Sequence, residues 1–387
     1  MKTVYLHVGA PKTGTTTLQY FLYENRNVLK EKGICYPDFQ FPFPGIAFNR
    51  NAHFLIQRVY DHKKKRMRQE EKQIFETGFQ KLEEFLENHD TVVLSEESIW
   101  NEKEMTTKKF EKIRKKLSDM NATLKVIVYL RRQDLLMPSY WAQLVKSRLT
   151  LSFEEFISSG SYKRYRVDYA KRLEEISTAI GKENVIVRVY EKQQFEGSNH
   201  TLISDFLHLF HLPLTEEFQI TDSMRNARLQ KRSLELKRIL NQNPVYQDKK
   251  SFLIPLLEQI QFEKEITNFP VKEYYFSSEE QLSFLKLFEE SNQQVAKEYL
   301  NRKDGILFKD TVAYTNQRAT TYSYEELIFL CGEIIAKQEE EKQELLLQLK
   351  NNGTSNRIFS LFKRAAKKIK KFFIFCSFFV SSFVFVM

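Results

Sequence analysis

The pattern that most restricts the fold is an alternation of short β-branched runs with longer helical periods. Val4 to Val8, Thr91 to Leu94, Lys125 to Tyr129 and Val185 to Val189 are strand-like, and each is followed by residues with helical spacing. Strands that are apolar on both faces need helices on both sides of their sheet. The alternation therefore predicts an α/β fold, a three-layer parallel sheet flanked by helices. Between the first two strands, Ile74, Phe75, Phe79, Leu82 and Phe85 recur at three- and four-residue steps, which predicts an amphipathic helix over Gln69 to His89. After Val189 the strand signals fade and helices are expected at Leu202 to Phe210, Leu229 to Leu240, Gln281 to Tyr299 and Glu325 to Lys350. The last reads as a solvent-bridging helix, with a coiled coil as the alternative.

At 387 residues the chain exceeds the roughly 250–300 over which one hydrophobic core stays single, so one large domain with an appendage is expected. We divide it into a main domain, 1–310, a helical C-terminal extension, 311–350, a polar linker, 351–356, and a tail, 357–387. Hydrophobic residues at 42% against 28% charged exclude general disorder. Cys35, Cys331 and Cys376 lie far apart, which argues against a disulfide framework or a thiolate metal site and for a reducing compartment. The N-terminus enters a strand without a signal-peptide pattern, so a cytoplasmic location is expected.

Strand, glycine-bounded loop and helix follow one another at Gly9-Ala10-Pro11-Lys12-Thr13-Gly14-Thr15-Thr16. A helix N-terminus offers unpaired N–H groups and partial positive charge, Gly9 and Gly14 let the backbone approach an anion, and Thr15 and Thr16 add hydroxyls. Lys12 adds a full charge. Against the nucleoside-triphosphatase pattern GxxxxGK[ST], the glycine spacing agrees but Thr15 stands where the lysine belongs. The later strands end in Ser95-Glu96-Glu97 and Arg131-Arg132 rather than in a magnesium-holding Asp, which disfavours a metal-assisted triphosphatase.

The segment GAPKTGTT resembles the 5'-phosphosulfate loop of sulfotransferases that use 3'-phosphoadenosine 5'-phosphosulfate (PAPS). A second segment, Val126 to Asp134 followed by Pro138-Ser139-Tyr140-Trp141, resembles that family's 3'-phosphate segment, with an Arg at a strand end and a Ser eight residues on. Arg131 and Ser139 have that spacing, and a guanidinium with a nearby hydroxyl can clasp one phosphate from two sides. The resemblance covers about the first 190 residues and is closer to bacterial carbohydrate-type enzymes than to cytosolic phenol-type ones. The late Arg-Lys-Gly segment of the latter is missing, and Arg225-Asn226-Ala227-Arg228 is an alternative nucleotide contact. The resemblance implies a P-loop-like sulfotransferase fold, with 1–310 as the catalytic domain, PAPS as co-substrate and a saccharide or glycolipid hydroxyl or amine as acceptor.

On that resemblance Gly9, Pro11, Lys12, Thr13, Gly14, Thr15, Thr16, Arg131 and Ser139 bind the donor, and Lys12 stabilises the departing phosphate. The base belongs near the carboxyl ends of the strands. Glu97 is the first choice and Glu96 the second, with His53 as a competitor because histidine titrates near neutral pH. His208 and His211 lack a third ligand, and no metal is expected. Rival readings are a nucleotide-dependent kinase with an altered phosphate loop and a non-catalytic membrane-associated scaffold.

The net charge of +10 points to anionic partners. Arg357, Lys363, Arg364, Lys367, Lys368, Lys370 and Lys371 carry seven of those charges with no acidic residue among them, leaving +3 for residues 1–356. Phe372 to Met387 is almost wholly apolar, about 24 Å long as a helix and short of the roughly 30 Å hydrocarbon core. The expectation is peripheral attachment to an anionic membrane on the cytoplasmic face, and not nucleic-acid binding, for which no binding fold is recognisable.

Overall fold

The structure is a computed structural model that describes residues 2–40, 46–220, 229, 231–243, 253–258, 275–312 and 324–351. Its sheet has five parallel strands, β1 (Lys2–His7), β2 (Ile34–Cys35), β3 (Thr91–Ser95), β4 (Ala122–Leu130) and β5 (Val185–Val189), in the order β2-β3-β1-β4-β5. The expected α/β architecture is the one observed. Nine helices of the described residues accompany the sheet through residue 240: α1 (Thr15–Glu24), α2 (Arg26–Glu31), α3 (Arg68–Asn88), α4 (Thr107–Asp119), α5 (Gln133–Ser147), α6 (Phe153–Ser158), α7 (Tyr169–Ile180), α8 (Leu202–His208) and α9 (Lys231–Leu240).

Alternation along the strands sorts the core into two layers. Val4, Leu6, Val92, Leu94, Val126 and Val128 pack with Phe79 and Leu82 of α3, Ile113 and Leu117 of α4, and Leu173 and Ile176 of α7. Val93, Ile127 and Tyr129 face the other way, onto Leu18 and Leu22 of α1, Leu29 of α2, and Phe206 and Leu207 of α8. Both faces are thereby covered, as parallel strands require. The chain places β2 and β3 on one side of β1 and then crosses to β4 on the other, so the direction of winding changes about β1. Ligands of open α/β sheets bind at such a point, beyond the carboxyl ends of the strands.

The structure adds one strand to those expected and divides one expected helix. Strand β2 carries no periodic signal because it has two residues, and it is defined by its register, Ile34 beside Thr91 and Cys35 beside Val92. The helix expected over Gln281 to Tyr299 is two helices, Ser278–Lys286 and Glu289–Leu300. The chain leaves helical geometry at Phe288, whose buried ring lies 5.2 Å from Phe284 and 6.4 Å from Tyr162. Burying that aromatic cluster outweighs continuing the helix.

By compactness, residues 1–250 with 270–320 form one unit and residues 251–269 with 321–387 a second. The described part of the second includes the helix Tyr324–Asn351, which covers the expected Glu325 to Lys350 and takes in the first residue of the expected linker. Its Ile335, Leu345 and Leu347 are exposed. Among the described residues no helix is long and apolar enough to cross a membrane. Arg225 to Arg228, the remainder of the linker and the whole tail lie outside the described residues.

Candidate active site

Strand β1 ends at His7 and the chain enters the glycine-bounded loop, which carries positive φ at Gly9 (41°), Lys12 (71°) and Gly14 (75°). A Cβ on Gly9 would lie 2.7 Å from Thr15 Oγ1, so the loop is drawn tightly over the start of α1 and only glycine fits. Thr13 Oγ1 donates to Ala10 O at 2.6 Å and so braces the loop from within. No side chain caps α1, which begins behind left-handed Gly14 and has no acidic residue in its first turn. Thr15 Oγ1 is buried and has no hydrogen-bond partner. An uncapped helix N-terminus with an unsatisfied hydroxyl and a lysine beside it is the donor set an anion requires. Thr16 is exposed at the same turn, and Pro11 and Lys12 are half-buried.

Below the loop, His7 Nδ1 lies 2.9 Å from Ser95 Oγ, which also accepts from Gln19 Nε2 at 3.1 Å. Burial lowers the His7 pKa to about 4, so this imidazole is neutral and joins β1, β3 and α1 without adding charge.

The second motif meets the first here. Arg131 follows the end of β4, and its Nη1 donates to Lys12 O at 3.0 Å. Its guanidinium carbon lies 5.8 Å from the centre of the Tyr190 ring. Ser139 is half-buried on the second turn of α5, the helix that begins two residues beyond Arg131. The neighbouring Arg132 is committed elsewhere, donating to Asp134 at 2.7 and 3.0 Å and to Asp310 O.

The two candidate carboxylates have opposite environments. Glu96 is fully buried and accepts from Arg50 through both oxygens, from the Ser98 N–H at 2.9 Å, and pairs with His53 Nδ1 at 2.8 Å. Burial by itself would raise its pKa, but the hydrogen bonds and charges of His53 and Arg50 outweigh that and hold it below the ordinary carboxylate value. Glu97 opens a 3-10 turn, Glu97–Ile99, and its pKa is raised. Burial is the main cause, with Glu96 adding to it, and the positive charges of Arg50 and Lys12 oppose it.

Several side chains that fix this geometry gave no sequence signal. Asn51 Oδ1 accepts from Ser95 N at 2.8 Å and its Nδ2 donates to Val93 O at 3.1 Å, so a side chain extends the edge of β3 where β2 has stopped and carries Arg50 and His53 to Glu96. Arg172 of α7 is buried and donates to Ile99 O and Met105 O at 3.0 and 2.8 Å, which anchors the segment after Glu97. Asn101 Nδ2 donates to Tyr140 OH at 2.9 Å, and Tyr140 stacks on Tyr165 at 4.1 Å. His208 ends α8 exposed, with Nε2 3.1 Å from Glu196, and stands apart from these groups.

No known protein-family profile matches the chain. A protein of Archaeoglobus fulgidus described only as uncharacterized is 29% identical over 236 residues, which cover 59% of this chain and 58% of the relative, so the chain spans well under two thirds of the protein it matches. A solved structure, the sulfotransferase from Alicyclobacillus acidocaldarius, aligns with 49% of this chain and 74% of its own length at 18% identity and a TM-score of 0.30. The architecture described above stands on this chain's own strand order and register.

Proposed function

We propose that this chain is a PAPS-dependent sulfotransferase acting on a hydroxyl or amine of a saccharide or glycolipid. The observation that supports the reading is the contact between Arg131 and Lys12 O, which joins the two segments that resemble phosphate-binding ones, 119 residues apart, at one end of the sheet. A site that holds two phosphates at once fits a nucleotide bearing a 3'-phosphate and a 5'-phosphosulfate. Thr15, with its buried unpartnered hydroxyl, and the close approach at Gly9 fit the phosphosulfate end. Arg131 and Ser139 fit the 3'-phosphate.

The chain's own residues account for the chemistry. Glu97, raised in pKa chiefly by burial, takes the acceptor proton as the acceptor oxygen or nitrogen bonds to sulfur. The bond from sulfur to the bridging oxygen of the 5'-phosphate breaks, and its electron pair leaves with that oxygen. Lys12, Thr15, Thr16 and the loop N–H groups stabilise the charge that develops there. Glu96 and His53 act as positioning residues. Glu96 has both oxygens engaged and no exposed surface, and it binds Arg50 and the Ser98 N–H, which are themselves joined by the bond from Arg50 to Ser98 Oγ.

The basic and apolar tail is assigned to peripheral attachment at an anionic membrane surface, which brings a lipid-linked acceptor within reach. Calorimetry with adenosine 3',5'-bisphosphate, followed by radiolabelled transfer from PAPS to a glycan panel, tests the reading. Tight bisphosphate binding and labelled glycan are expected. Tighter binding of ATP with magnesium, or no transfer to any glycan, would overturn it in favour of a kinase or a scaffold.

A further inference from the structure

The hairpin that leads from His53 to α3 carries a run of charge that the sulfuryl-transfer chemistry does not use. His62-Lys63-Lys64-Lys65-Arg66-Met67-Arg68 holds five basic side chains besides the histidine. The turn is tight: Tyr60 and Arg66 pair as antiparallel neighbours, Met67 N donates to Val59 O at 2.8 Å, and Asp61 N donates to Lys65 O at 3.0 Å. Within it, Asp61 Oδ1 accepts from Lys63 N and from Lys65 N, each at 2.8 Å, so one carboxylate braces the backbone of the tip. Lys64 sits at the tip with φ 62°. Asparagine or glycine adopts that conformation at lower cost, so the backbone does not account for a lysine there.

The charges are divided between the base of the hairpin and its tip. At the base, Arg66 donates to Glu71 at 2.7, 2.8 and 3.0 Å and to Glu104 at 2.7 Å, and Arg58 donates to Glu102. These pairs neutralise both guanidiniums and fasten the hairpin to α3 and to the segment that follows Glu97. At the tip, His62, Lys63, Lys64 and Lys65 are all exposed, and the three lysine amines make no ion pair or hydrogen bond among the described residues. Tyr60 stands next to them in the chain with 53% of its surface exposed. A braced projection with three unneutralised ammonium groups and an exposed amphipathic ring matches a layer of anionic headgroups, where lysines meet phosphate or carboxylate and the ring sits at headgroup depth.

We infer that the hairpin from Val59 to Met67 is a second membrane contact, placed on the catalytic body, in which Lys63, Lys64 and Lys65 bind anionic lipid headgroups. The inference rests on the membrane attachment proposed for the tail and not on the sulfotransferase reading. Stable attachment takes two signals, and a contact on the body in addition to a tether fixes which way the body faces. Three lysines alone bind too weakly to hold the chain at a membrane, so the hairpin strengthens the tail and does not replace it.

The test measures sedimentation of the full chain with vesicles of mixed phosphatidylcholine and phosphatidylserine. Lys63→Gln, Lys64→Gln and Lys65→Gln together should lower the partition coefficient about 100-fold at low salt, and the loss should shrink as salt is raised to about 1 M. Lys→Arg at the same three positions keeps the charge and should restore binding. Gln in place of Lys108, Arg114 and Lys115, which are exposed on α4, removes equal charge elsewhere and should leave partitioning nearly unchanged. Equal losses from the two sets reduce the effect to net charge and overturn the hairpin contact. So does a loss of duplex RNA binding without loss of vesicle binding, which assigns the lysines to nucleic acid. A hairpin variant that partitions like the unsubstituted chain, while removal of residues 357–387 still abolishes sedimentation, overturns the hairpin and leaves the tail assignment standing. An unsubstituted chain that does not sediment overturns both.

Discussion

Arg50→Ala tests the electrostatic logic of the site through two independent readouts. Glu96 is fully buried, and Arg50 supplies donors to both its oxygens while also donating to Ser98 Oγ at 2.8 Å. Breaking a buried ion pair costs about 3–5 kcal/mol, and His53 and the Ser98 N–H remain, so about 3 kcal/mol is expected. At about 2–4 °C per kcal/mol for a large domain, the melting temperature falls by about 6–12 °C near neutral pH.

The loss should depend on pH with a definite sign. The folded-state pKa of Glu96 lies below its ordinary value of 4.5. Its ion pairing therefore stabilises fully above that value and is lost as pH falls through the lower folded one. The difference in melting temperature between the two proteins should shrink as the pH is lowered from about 7 to below about 4. Arg50 also lowers the pKa of Glu97, so in the variant the acid limb of the kcat/KM profile should move to higher pH. Calorimetric melts across that range and a pH–rate profile provide the measurements. A melting difference independent of pH, or an acid limb that stays in place, would refute the assignment of charges to Glu96 and Glu97.

Lys12→Ala should reduce kcat by about 100- to 1000-fold, the loss typical of one group that stabilises developing charge, and unchanged turnover would remove Lys12 from that role. Glu97→Gln should reduce kcat by about 100- to 10,000-fold and abolish the acid limb, whereas a surviving limb would move the base to another group. Gly9→Ala places a Cβ 2.7 Å from Thr15 Oγ1 at φ 41°, so adenosine 3',5'-bisphosphate should bind at least tenfold more weakly by calorimetry. Removal of residues 357–387 should abolish sedimentation with phosphatidylserine vesicles and leave the rate on a soluble acceptor unchanged; continued sedimentation would place membrane binding elsewhere.

The sequence by itself determined the α/β class and four of the five strands, because apolar β-branched runs alternating with 3.6-residue periods are properties of contiguous residues. It also determined the loop from Gly9 to Thr16, where a requirement for positive φ and close backbone approach selects glycine locally. The helix break at Phe288 and the two-residue β2 depended on contacts with distant residues and left no local period. The same holds for the division of labour between Glu96 and Glu97. The two are adjacent and chemically identical, and only the fold brings Arg50 and His53, more than 40 residues away, onto Glu96 while leaving Glu97 desolvated. Asn101 and Tyr140 become partners for the same reason, since a hydrogen bond across 39 residues exists only after α5 has docked against the segment that follows β3. Backbone conformation that follows a local period or needs a glycine is encoded where the residues stand, whereas the helix break, the short edge strand, acidity and pairing are set by neighbours that the chain acquires on folding.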